Sequence, residues 1–476
     1  MSSSSPTGFA PVASGERLFA LDTLRGVALL GILLMNILTF AFPVAAYFNP
    51  NVAGGASGLN WATWFVQYVF WDGKMRAIFS LMFGAGLLLL TDRASQRGAG
   101  GEAADYYLRR NLWLLLFGVI HAYVIWMGDI LYPYALIGLM LYPFRKLSAR
   151  TLFIVAGIQI FLLTAASVGQ GFSAREEREK YQKAQALIKE GKTLTAEQKE
   201  TVEGWESQLR YIAPTAEQLK KEIDAHRGGY PALFKWRAKE VGQWHGMPYY
   251  HPGLWDMMAM MFIGMALYKT GVLTMQRSWR FYGWLAALAF GVGIPLNGVS
   301  TWLTAKVNFD PVQVGWTMAS YQVGRVALAL AYVAVVQMIL KAGAIEWLTR
   351  RVAAVGQMAF SNYITHSLVG TTLFYGYGFG LYNQLERHQV YGIVLALWTF
   401  QLIASPIWLR YFHFGPLEWG WRSLTYWKRQ PFRIRPAVPQ LESEPEQERE
   451  PETRPLPEEP PVAPVPAAAE SQGAVQ

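Results

Sequence analysis

His121 and Asp129 are the residues best suited to chemistry in this chain, an imidazole and a carboxylate eight positions apart at the end of an apolar run. Imidazole moves protons near neutral pH, and a carboxylate that accepts its second N–H fixes the tautomer and raises the basicity of the ring. His121 is therefore the candidate general base, and Asp129 the candidate orienting or substrate-binding carboxylate. On an ideal helix eight positions amount to roughly 12 Å of rise. That spacing excludes a direct pair and predicts that both side chains line one outward-facing cavity, joined by a ligand or water.

Other polar groups interrupt the apolar runs. Asn362 and His366 are i,i+4 neighbours on one stripe with Gly370, and Ser361 and Thr365 form the adjacent row. Arg325, Asp256 and the trio Asp72, Lys74 and Arg76 lie in or beside further runs, and Asp22 with Arg25 opens the first. Each has a structural reading beside the functional one. His121 and His366 can be hydrogen-bonded glue between helices, Arg325 with Asp256 a neutralising pair, and Lys74 and Arg76 snorkelling anchors. The joint pattern favours a site, because ionisable groups are costly in hydrocarbon and several independent runs place them at similar depth. Asp22, Arg25, Lys74, Arg76, Arg325, Asn362 and His366 are accordingly the candidate substrate-binding residues.

Several chemistries are disfavoured. The chain has no Cys, which removes disulfides, thiolate metal sites and a cysteine nucleophile. Its seven His show no H-E-x-x-H or similar spacing, so no metal site is expected. No G-x-x-x-x-G-K-[ST] motif occurs, which argues against ATP-driven transport by this chain alone. Gly376-Tyr377-Gly378-Phe379-Gly380 lacks the strand–helix context of a phosphate loop and reads as a flexible helix end.

The elements that must position these residues are membrane helices. The 476 residues are 52% hydrophobic with 19 Trp and 26 Phe, and they contain separate apolar stretches long enough to cross ~30 Å of hydrocarbon. About ten candidate spans fall near 25–46, 61–90, 111–127, 130–146, 151–170, 252–269, 281–302, 319–340, 352–378 and 391–409. The expected fold is an all-α, polytopic transmembrane helix bundle. In the second span Asp72, Lys74 and Arg76 reduce the expected crossing to Ala77 through Leu90, with Trp61 to Trp71 lying as an aromatic helix in the outer interface.

Orientation follows from the short loops. Arg17, Arg25, Arg93, Arg97, Arg109, Arg110, Arg145, Lys146, Arg150, Lys269, Arg277, Arg280, Lys341, Arg350, Arg351 and Arg410 through Arg435 fall on one side, against Lys306 and Arg387 on the other. Both termini are therefore expected in the cytoplasm, with the first span a signal anchor. The net charge of +9 belongs to these loops and the anionic lipid headgroups beside them, not to nucleic acid.

The expected organisation is a cytoplasmic segment 1–20, helices 21–170, a charged helical extracytoplasmic insertion 171–251, helices 252–430 with an amphipathic cytoplasmic end, and a disordered Pro/Glu-rich tail 436–476. The insertion reads as a solvated cap or as a substrate-gating lid. Within the amphipathic end, Glu418 and Arg422 are four apart and read as an internal ion pair.

Together these residues resemble the YeiB-type family of bacterial inner-membrane proteins, catalogued mainly as a domain of unknown function. The carriers are Leu21-Asp22-Thr23-Leu24-Arg25-Gly26 with Met35-Asn36, Asp72-Gly73-Lys74 followed by Phe79 through Gly86, Gly118 with His121 and Asp129-Ile130-Leu131, Gly356 through Tyr363, and Phe414 through Trp419. The opening segment also resembles membrane-bound acyltransferases of the heparan-glucosaminide acetyltransferase type and bacterial sugar O-acyltransferases. In many of the latter a His ends the first span, where this chain has Asn36. That departure leaves His121 as the base.

The resemblance implies transfer of an acyl group from a cytoplasmic acyl-CoA, a donor substrate and not a bound cofactor, to an extracytoplasmic carbohydrate or envelope acceptor. The arginines on the cytoplasmic side would hold the CoA phosphates. The competing readings are a transporter or exporter of a small polar solute and a non-catalytic membrane scaffold. Membrane lipids are expected partners in each, and these residues set no oligomeric state.

Overall fold

In a computed structural model residues 18–96 and 101–434 are described; the tail 436–476 and most of the segment 1–20 lie outside them. Among the described residues the protein is all-α, with a single isolated β-bridge between Phe412 and Arg433. Seven helical segments are long and apolar enough to cross a membrane. Large apolar side chains such as Phe161, Trp284, Leu288, Leu395 and Phe400 are exposed on their outer faces. Such belts suit a lipid solvent and would be a liability in water. The protein is a polytopic membrane bundle.

The first half opens with α1 (Phe19–Ala41), the short α2 (Val44–Phe48) and α3 (Gly58–Val66). α3 runs on as a π-helical turn, Gln67–Trp71, and bends at Asp72-Gly73 into α4 (Lys74–Gln96). The second apolar segment is thus a helical stretch bent where the sequence places Asp72, Lys74 and Arg76. Its bend is where Lys74 becomes fully buried, so Lys74 is not a snorkelling anchor.

α5 (Ala103–Ile120) and α6 (Leu131–Leu141) form an antiparallel hairpin. With 11 residues, α6 rises only ~16 Å and does not span by itself. α7 (Ala149–Lys189) has 41 residues and runs ~60 Å without a break, so one helix carries the chain from the fifth apolar run into the charged insertion.

α8 (Ala196–Leu209), α9 (Ala216–Arg227) and α10 (Tyr230–Trp244) complete the insertion. Threonine capping boxes at Thr195 and Thr215 start the first two. The second half comprises α11 (Met247–Lys269), α12 (Trp279–Lys306), α13 (Pro311–Thr317), α14 (Tyr321–Lys341), α15 (Glu346–Gln357), α16 (Ala359–Phe374), α17 (Val390–Tyr411) and α18 (Pro416–Tyr426). The expected span 352–378 is in fact two helices interrupted at Met358.

Helices in lipid gain little from hydrophobicity at their interfaces and pack through small residues. Two crossings show it. A Cβ on Gly84 would overlap the Met261 carbonyl, and one on Gly264 the Leu81 carbonyl, so α4 and α11 touch backbone to backbone. Gly26 and Gly356 do the same for α1 and α15, against the carbonyls of Val352 and Asp22.

The insertion docks by specific polar contacts. Glu222 accepts hydrogen bonds from the Val44 N–H at 2.9 Å and the Tyr382 hydroxyl at 3.2 Å, and Arg227 donates to the carbonyls of Tyr382 and Asn383. His226 is buried with its ring stacked on Tyr382 at 4.2 Å. The Gly376 N–H donates to the His226 carbonyl at 2.7 Å, and a Cβ there would overlap the Arg227 carbonyl. The glycine run 376–380 is therefore a tight turn that seats the insertion and not a flexible helix end.

Gly264→Ala is expected to lower stability by about 1–3 kcal/mol through overpacking, whereas Gly283→Ala, which meets open space, leaves the detergent melting temperature unchanged. Burial pushes the Glu222 carboxyl up from an ordinary 4.5 to about 7. A carboxyl raised in the folded state binds more protons there than when unfolded, so stability falls as pH rises through that window. Melting curves from pH 4.5 to 7 should show that slope, and Glu222→Gln should flatten it.

Candidate functional site

His121 and Asp129 do pair directly, contrary to the ideal-helix expectation. The last turn of the α5 rod is a π-helix, His121–Ile125, and at Trp126 the backbone turns extended. The chain then doubles back, and the Asp129 carboxylate returns to the His121 ring with Nδ1 to Oδ1 at 2.7 Å. The other carboxylate oxygen accepts from the Tyr132 N–H at 2.7 Å at the start of α6. Both side chains are buried, at 1% and 0% exposure. Gly118 permits the hairpin, since a Cβ there would overlap the backbone of Leu131 and Tyr132.

Ending a helix inside the bundle leaves carbonyls that need donors. α10 supplies them: the Tyr230 hydroxyl donates to the Val124 carbonyl at 2.8 Å, and the Arg237 guanidinium donates to the same oxygen. The insertion thus completes the break that makes the pair.

On its far side the His121 Nε2 lies 2.8 Å from the Ser367 hydroxyl. Ser367 on α16 is fully buried. Sequence reasoning missed it, having assigned the polar stripe of α16 to Asn362 and His366. Those two face another way. His366 Nε2 meets Gln401 Oε1 at 2.9 Å, Asn362 donates to Ser405 Oγ at 3.1 Å, and Gln401 donates to the Asn362 carbonyl, so they tie α16 to α17. The residues that do face His121 are Tyr363 and Ser367, and only knowledge of the neighbouring helix selects them.

The remaining candidates separate into two further places. Asp256 on α11 receives Arg76 of α4 at 2.9 Å and also Arg325 of α14. Next to them Asp72 accepts hydrogen bonds from the hydroxyls of Tyr47 at 2.5 Å and Tyr321 at 2.7 Å, and Lys74 donates to the Tyr68 carbonyl at 2.7 Å. Arg325 is buried and two of its nitrogens, Nε and Nη1, have no hydrogen-bond partner.

Asp22 and Arg25 form an ion pair at 2.9 Å on the first turns of α1. They line a cavity of about 250 Å³ bounded by α1, α4, α5, α6, α16 and α18. Its mouth carries Arg25, Arg93, Arg110 and Arg422 against Asp22 and Glu418. The acids are engaged elsewhere: Asp22 by Arg25, and Glu418 by the N–H groups of Phe360 and Ser361 at 2.7 and 3.1 Å, where it caps α16. Glu418 therefore acts across helices, beyond its expected partner Arg422. The interior is apolar, with Leu29, Ile32, Phe79, Met82, Phe83 and Leu114, and it ends at Ile130, Leu131, Tyr134 and Tyr363. Ile130 follows Asp129 directly, and the Tyr363 ring lies 5.2 Å from the His121 ring.

An all-α polytopic membrane protein with a buried Ser–His–Asp arrangement behind the wall of an amphiphilic cavity is the class these features define. The chain is 31% identical to the uncharacterized protein YeiB of Escherichia coli (strain K12), over 86% of this chain and 96% of that protein. It is 30% identical to the uncharacterized protein YxaH of Bacillus subtilis (strain 168), over 90% of this chain and 99% of that protein. Residues 267–428 match the family model described as protein of unknown function (DUF418). This chain belongs to the YeiB/DUF418 family. No solved structure matches it.

Removing one partner of a buried ion cluster strands the others at a cost of about 3–5 kcal/mol. Asp256→Ala should therefore markedly lower the melting temperature in detergent, and Asp256→Ala combined with Arg325→Met should regain part of the loss.

Proposed function

We propose that this protein is an inner-membrane acyltransferase that takes an acyl group from an acyl-CoA on the cytoplasmic side and passes it to an extracytoplasmic carbohydrate or envelope acceptor. In this reading the chain crosses the membrane ten times with both termini in the cytoplasm, since the cavity arginines all belong to the Lys/Arg-rich side of the sequence. The observation that carries the proposal is the cavity itself: guanidinium groups at one end, hydrocarbon within, and the His121–Asp129 pair directly behind its inner wall. Guanidinium groups of Arg25, Arg93, Arg110 and Arg422 along one cavity suit a multiply phosphorylated head group. The apolar interior suits an acyl chain.

Arg110 and His121 stand 11 positions apart along the α5 rod, roughly 16 Å, so head group and reacting carbonyl are held at opposite ends of one rigid element. Asp129 holds the imidazole in the tautomer whose Nε2 accepts a proton. Tyr363 lies between cavity and ring, and its side chain must swing for the carbonyl to reach the base. Asp22 and Arg25 bind the donor in this scheme and take no part in bond making.

A second reading, transport of a small polar solute, is supported by the separate cluster of Asp72, Lys74, Arg76, Asp256 and Arg325, a buried group of charges of the kind found along ion and proton pathways.

The test uses protein in lipid nanodiscs with acetyl-, octanoyl- and palmitoyl-CoA. Arg25→Ala and Arg110→Ala should each weaken binding on the order of tenfold by removing charged hydrogen bonds. His121→Ala should keep binding while CoA release falls about 10²–10⁴-fold. Solute flux in liposomes with no binding of any acyl-CoA would replace this proposal with the transporter.

A further inference from the structure

We infer that Ser367 is the nucleophile that first receives the acyl group, so that transfer runs through a covalent acyl-serine; the inference rests on the acyltransferase reading above. Ser367 Oγ, His121 and Asp129 stand in line, 2.8 Å and 2.7 Å apart on the two sides of the imidazole. A serine hydroxyl whose proton can pass to an imidazole backed by a buried carboxylate is the arrangement that makes an alcohol nucleophilic.

The orientation of Ser367 sets it apart from the hydroxyls that bond back within their own helix. A Ser or Thr within a helix commonly bonds back to the carbonyl four residues earlier. Ser80, Thr91, Thr164, Ser167, Thr270 and Thr365 all do so here. Ser367 instead points across to another helix and spends its one hydrogen bond on His121.

A second observation concerns the indole next to the His121 ring. Trp126 is 1% exposed, its ring lies 6.1 Å from that of His121, and its indole N–H has no hydrogen-bond partner. A buried unpaired donor costs stability, and in this scheme the nearby indole N–H is the donor for the oxyanion formed on the acyl carbonyl.

The steps balance without an added oxidant or reductant. The Ser367 oxygen attacks the thioester carbonyl while its proton moves to His121 Nε2; the C–S bond breaks, and the proton leaves with the thiolate as CoA thiol. The acceptor hydroxyl or amine then gives its proton to His121 and attacks the ester carbonyl. The bond from carbon to the Ser367 oxygen breaks, and the proton returns to Ser367. CoA thus leaves before the acceptor reacts.

The experiment is rapid-quench incubation of the full-length protein in nanodiscs with radiolabelled acetyl-, octanoyl- and palmitoyl-CoA and no acceptor. Expected are a burst of CoA release and a label that survives denaturation, is released by hydroxylamine, and maps to Ser367 by mass spectrometry. Ser367→Ala should lose label and burst while still binding acyl-CoA. Ser367→Cys should carry a thioester instead, which confirms the position in a folded protein. Trp126→Phe should bind normally and acylate about 10²-fold more slowly. Label at another residue overturns the inference, as does turnover by Ser367→Ala within about twofold of wild type with no label trapped, which leaves direct transfer with His121 as base. If wild-type protein neither binds nor cleaves any of the three thioesters, the acyltransferase reading itself fails.

Discussion

Charge inside a low-dielectric bundle must be matched by charge or by aligned donors, and this requirement organises the whole structure. Asp256 joins three helices because Arg76 and Arg325 converge on it from α4 and α14. Glu418 ties α18 to the start of α16 by answering the free N–H groups there. His121 and Asp129 answer one another across a broken helix. The glycine crossings bring the backbones close enough for these contacts, since a longer interaxial distance would leave each charge short of its partner.

The break at His121–Trp126 connects the membrane core to the insertion. Stopping a helix at that depth frees carbonyls, and Tyr230 and Arg237 of α10 close the Val124 carbonyl. The insertion is therefore part of the site's scaffold. Its docking through Glu222, His226 and Arg227 onto the turns after α1 and α16 fixes α10 over the hairpin. A solvated cap and a component of the site turn out to be the same element.

Two polar centres with different characters result. One is open to an amphiphilic cavity at the end where α1 and α5 begin, and leads along α5 to His121. The other, around Asp72, Lys74 and Arg325, is buried, with tyrosine hydroxyls on Asp72. The two stand apart because depth along a helix says nothing about which neighbour a side chain faces.

The amino-acid sequence by itself determined that this is an all-α membrane bundle, because long apolar runs permit no other spanning structure here than helices that satisfy their own backbones. It also selected His121, Asp129, Asp256 and Arg325, because charges in such runs are conspicuous by type alone. Only the tertiary structure decided who meets whom. A π-helical turn removed the 12 Å separation that an ideal helix imposes on His121 and Asp129. Ser367 carries no local mark, being one hydroxyl among many on apolar helices, and its meaning comes from α5 lying against α16. Periodicity reports the face of a helix, but the partner of that face is a property of the packed bundle.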